Sequence, residues 1–139
     1  MTTSVHGIHH VTCIAGNAQE NLDFYVSLLG MRLVKKSVNQ DDPNTPHWFW
    51  ANYDGTRVAP HSSLTMFGWP TSNYFARAGV GQTHHIAFRA DNALQLAQYR
   101  DLLQSMNVEV TPVLERQFYS SIFFSAPDGL LIEIATDNA

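Results

Sequence analysis

The chain repeats itself. His9-His10-Val11-Thr12 opens one stretch and His84-His85-Ile86-Ala87 opens another, at an ungapped offset of 75 residues. Under the same offset Ala15 falls on Ala90, Asn17 on Asn92, Ala18 on Ala93, Phe24 on Tyr99, Leu28 on Leu103 and Met31 on Met106. A helix-like segment follows each histidine pair at the same distance. Two copies of one supersecondary unit imply a pseudo-symmetric fold, in which equivalent strands bring two histidines to one place. Imidazoles that meet in this way suit a metal ion. The repeat is a duplication and not a solenoid, which needs at least three stacked units.

At 139 residues the chain is expected to form a single domain, with unit one over about 6–70, a linker over 71–82 and unit two over about 83–137. Apolar residues make up 45% and charged residues 14%, a globular balance that excludes disorder. A net charge of −4 offers no basic footprint, so nucleic acid is not an expected partner. One cysteine, Cys13, permits no internal disulfide. The first residues lack the basic and apolar regions of a signal peptide, and no apolar run is long enough to span a membrane. A cytoplasmic protein without membrane contact is the expectation.

The first unit reads as β-α-β-β-β. Ile8 to Ala15 forms a strand, and Asn17 caps a helix with Glu20 three residues on. Leu22, Tyr25, Leu28 and Leu29 follow at helical spacing, and Gly30 stands where the helix should stop. Met31–Val38, Trp48–Tyr53 and Ser63–Phe67 are further strands, with a loop over 40–46 and a turn at Asp54-Gly55. The second unit repeats the order. His84–Arg89 is a strand, and Asn92 caps a helix to about Ser105 that buries Leu96, Tyr99, Leu102, Leu103 and Met106. Strands follow over Val108–Val113, Phe118–Phe124 and Leu130–Thr136, the last two joined by a turn at Pro127-Asp128-Gly129. The fold class is α+β.

Glu133 lies in the otherwise apolar run Leu130-Leu131-Ile132-Glu133-Ile134-Ala135. A carboxylate there must face water or a partner, because burying it unpaired is expensive. Alternation puts Leu131, Glu133 and Ala135 on one face, and Ile132 and Ile134 on the helix-packed face. The same alternation sends the two histidines of each pair to opposite faces, so each pair can supply one ligand. Two histidines and one carboxylate form a facial set that leaves coordination positions open on Fe(II) or a similar ion. A closed zinc site would favour four ligands and cysteines.

Three motifs carry a resemblance. They are Gly7-Ile8-His9-His10-Val11-Thr12, then Leu22-Asp23-Phe24-Tyr25 continuing to Leu28-Leu29-Gly30-Met31-Arg32-Leu33, then Pro127-Asp128-Gly129 with Glu133 behind it. Over nearly its whole length the chain resembles the vicinal-oxygen-chelate superfamily, which includes glyoxalase I, fosfomycin-resistance thiol transferases, bleomycin-binding proteins and extradiol dioxygenases. The resemblance implies two βαβββ units forming a cupped mixed sheet, a half-barrel with helices outside. It implies His10, His85 and Glu133 as metal ligands. The place where glyoxalase I carries a fourth ligand falls at Ser63, a poor ligand, which separates this chain from glyoxalase I.

Within the superfamily the chain is most similar to ring-cleaving dioxygenases of the hydroquinone type. The likeness runs through Leu33 to Asn39 with Asp41-Asp42-Pro43, through Glu115-Arg116 and Ile122-Phe123-Phe124, and through Ile132 to Asp137. It implies that His9, His84 and Arg116 line the substrate side. A family tyrosine maps to Phe123, which cannot donate a proton; Tyr119, four residues earlier on the same strand face, is the substitute to consider. The resemblance further implies a divalent metal, Fe(II) first and Mn(II), Zn(II) or Ni(II) as others, a small aromatic substrate and a homodimer. In that reading His84 or His9 accepts a phenolic proton, Thr12 is a hydrogen-bond partner and Arg116 stabilises an anion. Other metalloenzymes of this fold (thiol transferases, isomerases or lyases) and small-molecule binding proteins are the alternatives. The aromatics Trp48, Trp50, Phe67, Trp69, Tyr74, Phe75 and Phe118 are expected in the core or at an interface more than in a pocket. His47 and His61 are expected to be exposed in loops, and His6 on the surface.

Overall fold

The computed structural model describes residues 4–69 and 75–138; Tyr74 and the 71–74 part of the expected 71–82 linker lie outside the described residues. The chain divides into two compact units, Met1–Tyr74 and Phe75–Ala139. Each is a four-stranded mixed sheet with one helix, the α+β arrangement expected from the repeat.

Unit one contains β1 (His10–Ala15), α1 (Ala18–Ser27), β2 (Arg32–Val38), β3 (Pro46–Ala51) and β4 (Ser63–Gly68). Its sheet order is β1-β4-β3-β2, with β1 parallel to β4 and the other pairs antiparallel. The helix starts where Asn17 accepts hydrogen bonds from the Gln19 and Glu20 N–H groups through its side chain. It stops before Gly30, whose φ of +65° suits glycine, and Met31 N–H then donates to the Tyr25 carbonyl at 3.1 Å. Phe24, Tyr25 and Leu28 are buried with Trp50, Leu64 and Met66 to form the apolar core. The Tyr25 and Trp50 rings meet at 5.8 Å, so the Trp50 side of the sheet is the helix side. Cys13 pairs with Met66 across β1 and β4, and burial pushes its thiol up to about 11. The opposite face carries His10, Thr12, Thr65 and Phe67 from β1 and β4, and His47, Phe49 and Lys35 beside them.

Unit two contains β5 (His85–Arg89), α2 (Ala93–Ser105), β6 (Leu114–Glu115), β7 (Tyr119–Ser125) and β8 (Leu131–Asp137). Its order is β5-β8-β7-β6, with β5 parallel to β8. Leu96 and Leu103 of α2 are buried with Ile122, Phe124, Ile132 and Ile134. The turn before β8 is closed by Gly129 N–H donating to the Ala126 carbonyl at 2.9 Å, with Gly129 at φ +82°.

Two expectations for unit two change. The strand expected over Val108–Val113 is reduced to an isolated bridge between Val110 and Phe124, and pairing resumes at Leu114. Pro112 has no N–H to donate, and Thr111 is already held by Phe123, whose carbonyl accepts its N–H and whose N–H donates to its hydroxyl. On α2 only a narrow stripe is covered. Leu102 and Met106 are 39% and 47% exposed, Leu102 because it is turned about 100° from Leu103, and Met106 because it lies at the C-cap, past the last helical turn.

Candidate functional site

The duplication recurs in three dimensions as a shared strand register. In unit one His10 pairs with Ser63 and Thr12 with Thr65; in unit two His85 pairs with Leu131 and Ala87 with Glu133. The counterpart of Glu133 is therefore Thr65, not Ser63, which corrects the fourth-ligand position read from the sequence. Ser63 corresponds to Leu131, the residue beside the histidine itself.

In unit two this register makes His85 and Glu133 diagonal neighbours on one face of two parallel strands. His85 Nε2 lies 3.0 Å from Glu133 Oε2. Glu133 is 4% exposed, and its second oxygen, Oε1, is buried with no hydrogen-bond partner among the described residues. A buried acceptor without a partner is a costly exception in native proteins. Phe123, directly across from Glu133, sets its ring against His85 edge-on at 5.5 Å. Ser121, two residues earlier on the same face, is fully buried.

Alternation does not separate the paired histidines. His84 Nδ1 and His85 Nδ1 are 2.8 Å apart, as are His9 Nδ1 and His10 Nδ1, with the rings edge-on at 5.1 and 5.0 Å. The strands begin at His10 and His85, so His9 and His84 precede the pleat and fold back onto their neighbours. Each contact needs one Nδ1 as donor and the other as acceptor. His85 thus meets Glu133 through Nε2 and His84 through Nδ1. His85 and Glu133 are the residues that would hold a divalent cation here in place of the proton they share, and the unpartnered Oε1 is the observation that favours one. An imidazole nitrogen and a carboxylate are a donor set that such ions accept, so the residues fit a metal.

His10, the third expected ligand, belongs to unit one, where it is exposed. Among the described residues no group of three or more His, Cys, Asp or Glu side chains is gathered for a metal ion. Thr12 lies on the His10 face and accepts a 2.7 Å hydrogen bond from the Thr65 hydroxyl. Arg116 and Tyr119 close the β6–β7 turn, with Arg116 N–H donating to the Tyr119 carbonyl at 2.9 Å. Arg116 is exposed and Tyr119 is 38% exposed, and Tyr119 stands about 13 Å along β7 from Phe123 at ordinary strand rise.

His47 is the residue that sequence reasoning misplaced. It is the second residue of β3, half-buried, with Nε2 3.0 Å from Thr65 Oγ1. Its ring lies between Phe49 and Phe67, at 4.3 and 4.2 Å. Burial holds its pKa below the usual histidine value, helped by His10 and Lys35 nearby. The signal was present: the alternation through Trp48, Phe49 and Trp50 extends back to His47 once Pro46 is allowed as a strand's first residue. His61 is exposed, as expected, with Nδ1 2.9 Å from the Ile8 carbonyl.

Comparison with known proteins follows the same lines. Residues 7–134 match the family described as the Glyoxalase/Bleomycin resistance protein/Dioxygenase superfamily. A Bacillus subtilis protein named as a ring-cleaving dioxygenase, MhqO, is 36% identical over 136 residues, covering 96% of this chain and 41% of its own. Chlorohydroquinone/hydroquinone 1,2-dioxygenase of Sphingobium indicum is 32% identical over 132 residues, covering 94% of this chain and 40% of its own. A crystal structure named as a dioxygenase from Bacillus subtilis superposes with a TM-score of 0.85 at 36% identity, over 97% of this chain and 42% of that one. The chain thus spans about two fifths of the length of the curated relatives it matches.

Proposed function

From a chain that belongs to the Glyoxalase/Bleomycin resistance protein/Dioxygenase superfamily, we propose a metal-dependent, ring-cleaving dioxygenase activity on a hydroquinone- or catechol-like aromatic. The observation that carries this reading is Glu133: buried, set against His85 Nε2, and left with one oxygen unpartnered among the described residues. Relatives named as ring-cleaving dioxygenases at 32–36% identity support the same reaction class. His85 and Glu133 would hold the metal together with His10, and Fe(II) is the ion we assign. A divalent cation there supplies Lewis acidity toward a phenolic oxygen and open positions that bring ring and dioxygen together.

The chain's own groups account for the rest. With Nε2 given to the metal, His85 would keep its proton on Nδ1 and donate it to His84 Nδ1, the second partner that fixes the ring's orientation. His84, then protonated at Nε2, is assigned to donate a proton to a phenolic oxygen, with His9 in the equivalent place in unit one. Phe123 presents an apolar edge beside His85 where a tyrosine would offer a proton. Arg116 is assigned to an anionic product, Thr12 to a phenolic oxygen, and Tyr119 to the outer end of the same strand face. The assembly is read as a cytoplasmic homodimer.

Anaerobic loading with Fe(II), followed by oxygen-electrode assays with substituted hydroquinones and catechols, tests the proposal. Oxygen consumption matched by ring-opening absorbance is expected, and loss of both in His85→Ala. A loaded protein that consumes no oxygen with any of these compounds overturns it.

A further inference from the structure

Thr65 and Glu133 hold the same register position in the two units, yet only Glu133 carries a charge. Around Thr65 the structure builds something else. Thr65 is fully buried, and its single hydroxyl proton goes to Thr12 Oγ1 at 2.7 Å. Its oxygen, 3.0 Å from His47 Nε2, must then accept, so His47 is protonated at Nε2. Thr12, already accepting from Thr65, is left with its own proton to give away. Thr12 lies on the same face of β1 as His10, two residues further along the strand.

The surroundings hold His47 in that form. Phe49 and Phe67 flank the ring, and apolar walls favour a neutral imidazole. The charged or titratable groups facing it are His10 from β1 and Lys35 from β2, both of which oppose a second positive charge. A neutral Nε2–H imidazole can only donate at Nε2, so the direction of the hydroxyl chain is set.

We propose that His47 is a positioning residue that orients the Thr65–Thr12 hydroxyl pair, so that Thr12 presents a proton to an anionic oxygen, such as a phenolate, on the His10 face. The proposal rests on the dioxygenase reading for the identity of that oxygen. The duplicated position has thereby diverged, supplying a carboxylate beside His85 in unit two and an aimed hydrogen-bond donor beside His10 in unit one.

The test separates the two readings. In metal-free protein, two-bond ¹H–¹⁵N correlation of the histidine rings should show His47 as the neutral Nε2–H tautomer. Thr65→Val should release that preference. An Nδ1–H tautomer for His47 in the wild type, or an unchanged pattern in Thr65→Val, overturns the proposal whether or not the protein is a dioxygenase. In Fe(II)-loaded protein, His47→Phe keeps the aromatic stack and removes the donor. It should lower kcat/KM by about tenfold, as one oriented hydrogen bond implies. His47→Gln, which returns an N–H at a similar reach, should recover most of that loss. An undiminished Phe variant would mean that His47 only fills space, and equal losses in Phe and Gln would mean that its N–H is not what matters; either would also overturn it.

Discussion

Glu133→Met should make the metal-free protein more stable. The wild-type carboxylate is 4% exposed, and Oε1 has no hydrogen-bond partner among the described residues. An unsatisfied buried oxygen costs about 1–3 kcal/mol, more where it carries charge. Removing one partner of a buried ion pair is normally harmful, because the other charge stays behind. Here the other partner is His85, whose side chain is 32% exposed, so water can take the place of the carboxylate at its Nε2. The lost 3.0 Å contact is therefore worth less than the relieved oxygen, and Met finds an apolar neighbour in Phe123 directly across the strands. A net gain of about 1–2 kcal/mol raises the melting temperature by about 3–8 °C in a protein of this size. Circular dichroism melts in a chelating buffer at pH 7.5 measure it. Adding Fe(II) or Mn(II) at 100 times its Kd should then stabilise the wild type by about 2.7 kcal/mol and leave the Met variant unchanged. A Met variant that melts below the wild type in chelator refutes the account of Oε1.

The His47 pKa is lowered mainly by burial, so folding favours its neutral form. Its contribution to stability is fully present above its unfolded value of about 6.5, and declines as the pH falls from there toward the folded value. Urea melts between pH 5 and 7.5 should show a shallower decline in His47→Gln, and identical slopes would contradict this. Cys13, pushed up to about 11, is only about 0.1 % thiolate at pH 8, so a disulfide reagent should label folded protein over 100-fold more slowly than unfolded protein. Comparable rates would show that the thiol is not held by the core. Gly129→Ala places a side chain at φ +82° and its Cβ 2.5 Å from the Phe75 ring. A loss of about 1–2 kcal/mol is expected from the backbone alone, and a neutral result in denaturant melts would argue against the turn. Leu103→Ala empties a fully buried position, and should cost about 2–5 kcal/mol in the same assay.

What the sequence makes legible is what repeats or punctuates. The histidine pairs mark the start of both parallel strands, Asn17 and Asn92 cap both helices, and Gly30 and Gly129 fall at turns with positive φ. Glu133 was legible because a carboxylate within an apolar strand has few places to go. The misreadings have local causes. Histidines one residue outside a strand do not obey its pleat, so His9 and His84 meet their neighbours. Pro112 silences a donor in the stretch that reads as a strand, while Pro46, tolerated at a strand's first position, gives His47 the look of a loop residue. Thr65 gave no signal, because threonine is common in strands and only the pairing register reveals that it stands where Glu133 stands.

The closure of the first sheet has a consequence for how the polypeptide is made. Its last rung, Ala15 against Gly68, is specified before His85 has been added to the growing chain. With translation at about 5–20 residues per second, the leading segment has seconds in which to order ahead of the trailing one. A ribosome stalled within the second helix would thus hold a nascent product whose first β-ladder is already fully encoded, while the strand that supplies Glu133 does not yet exist.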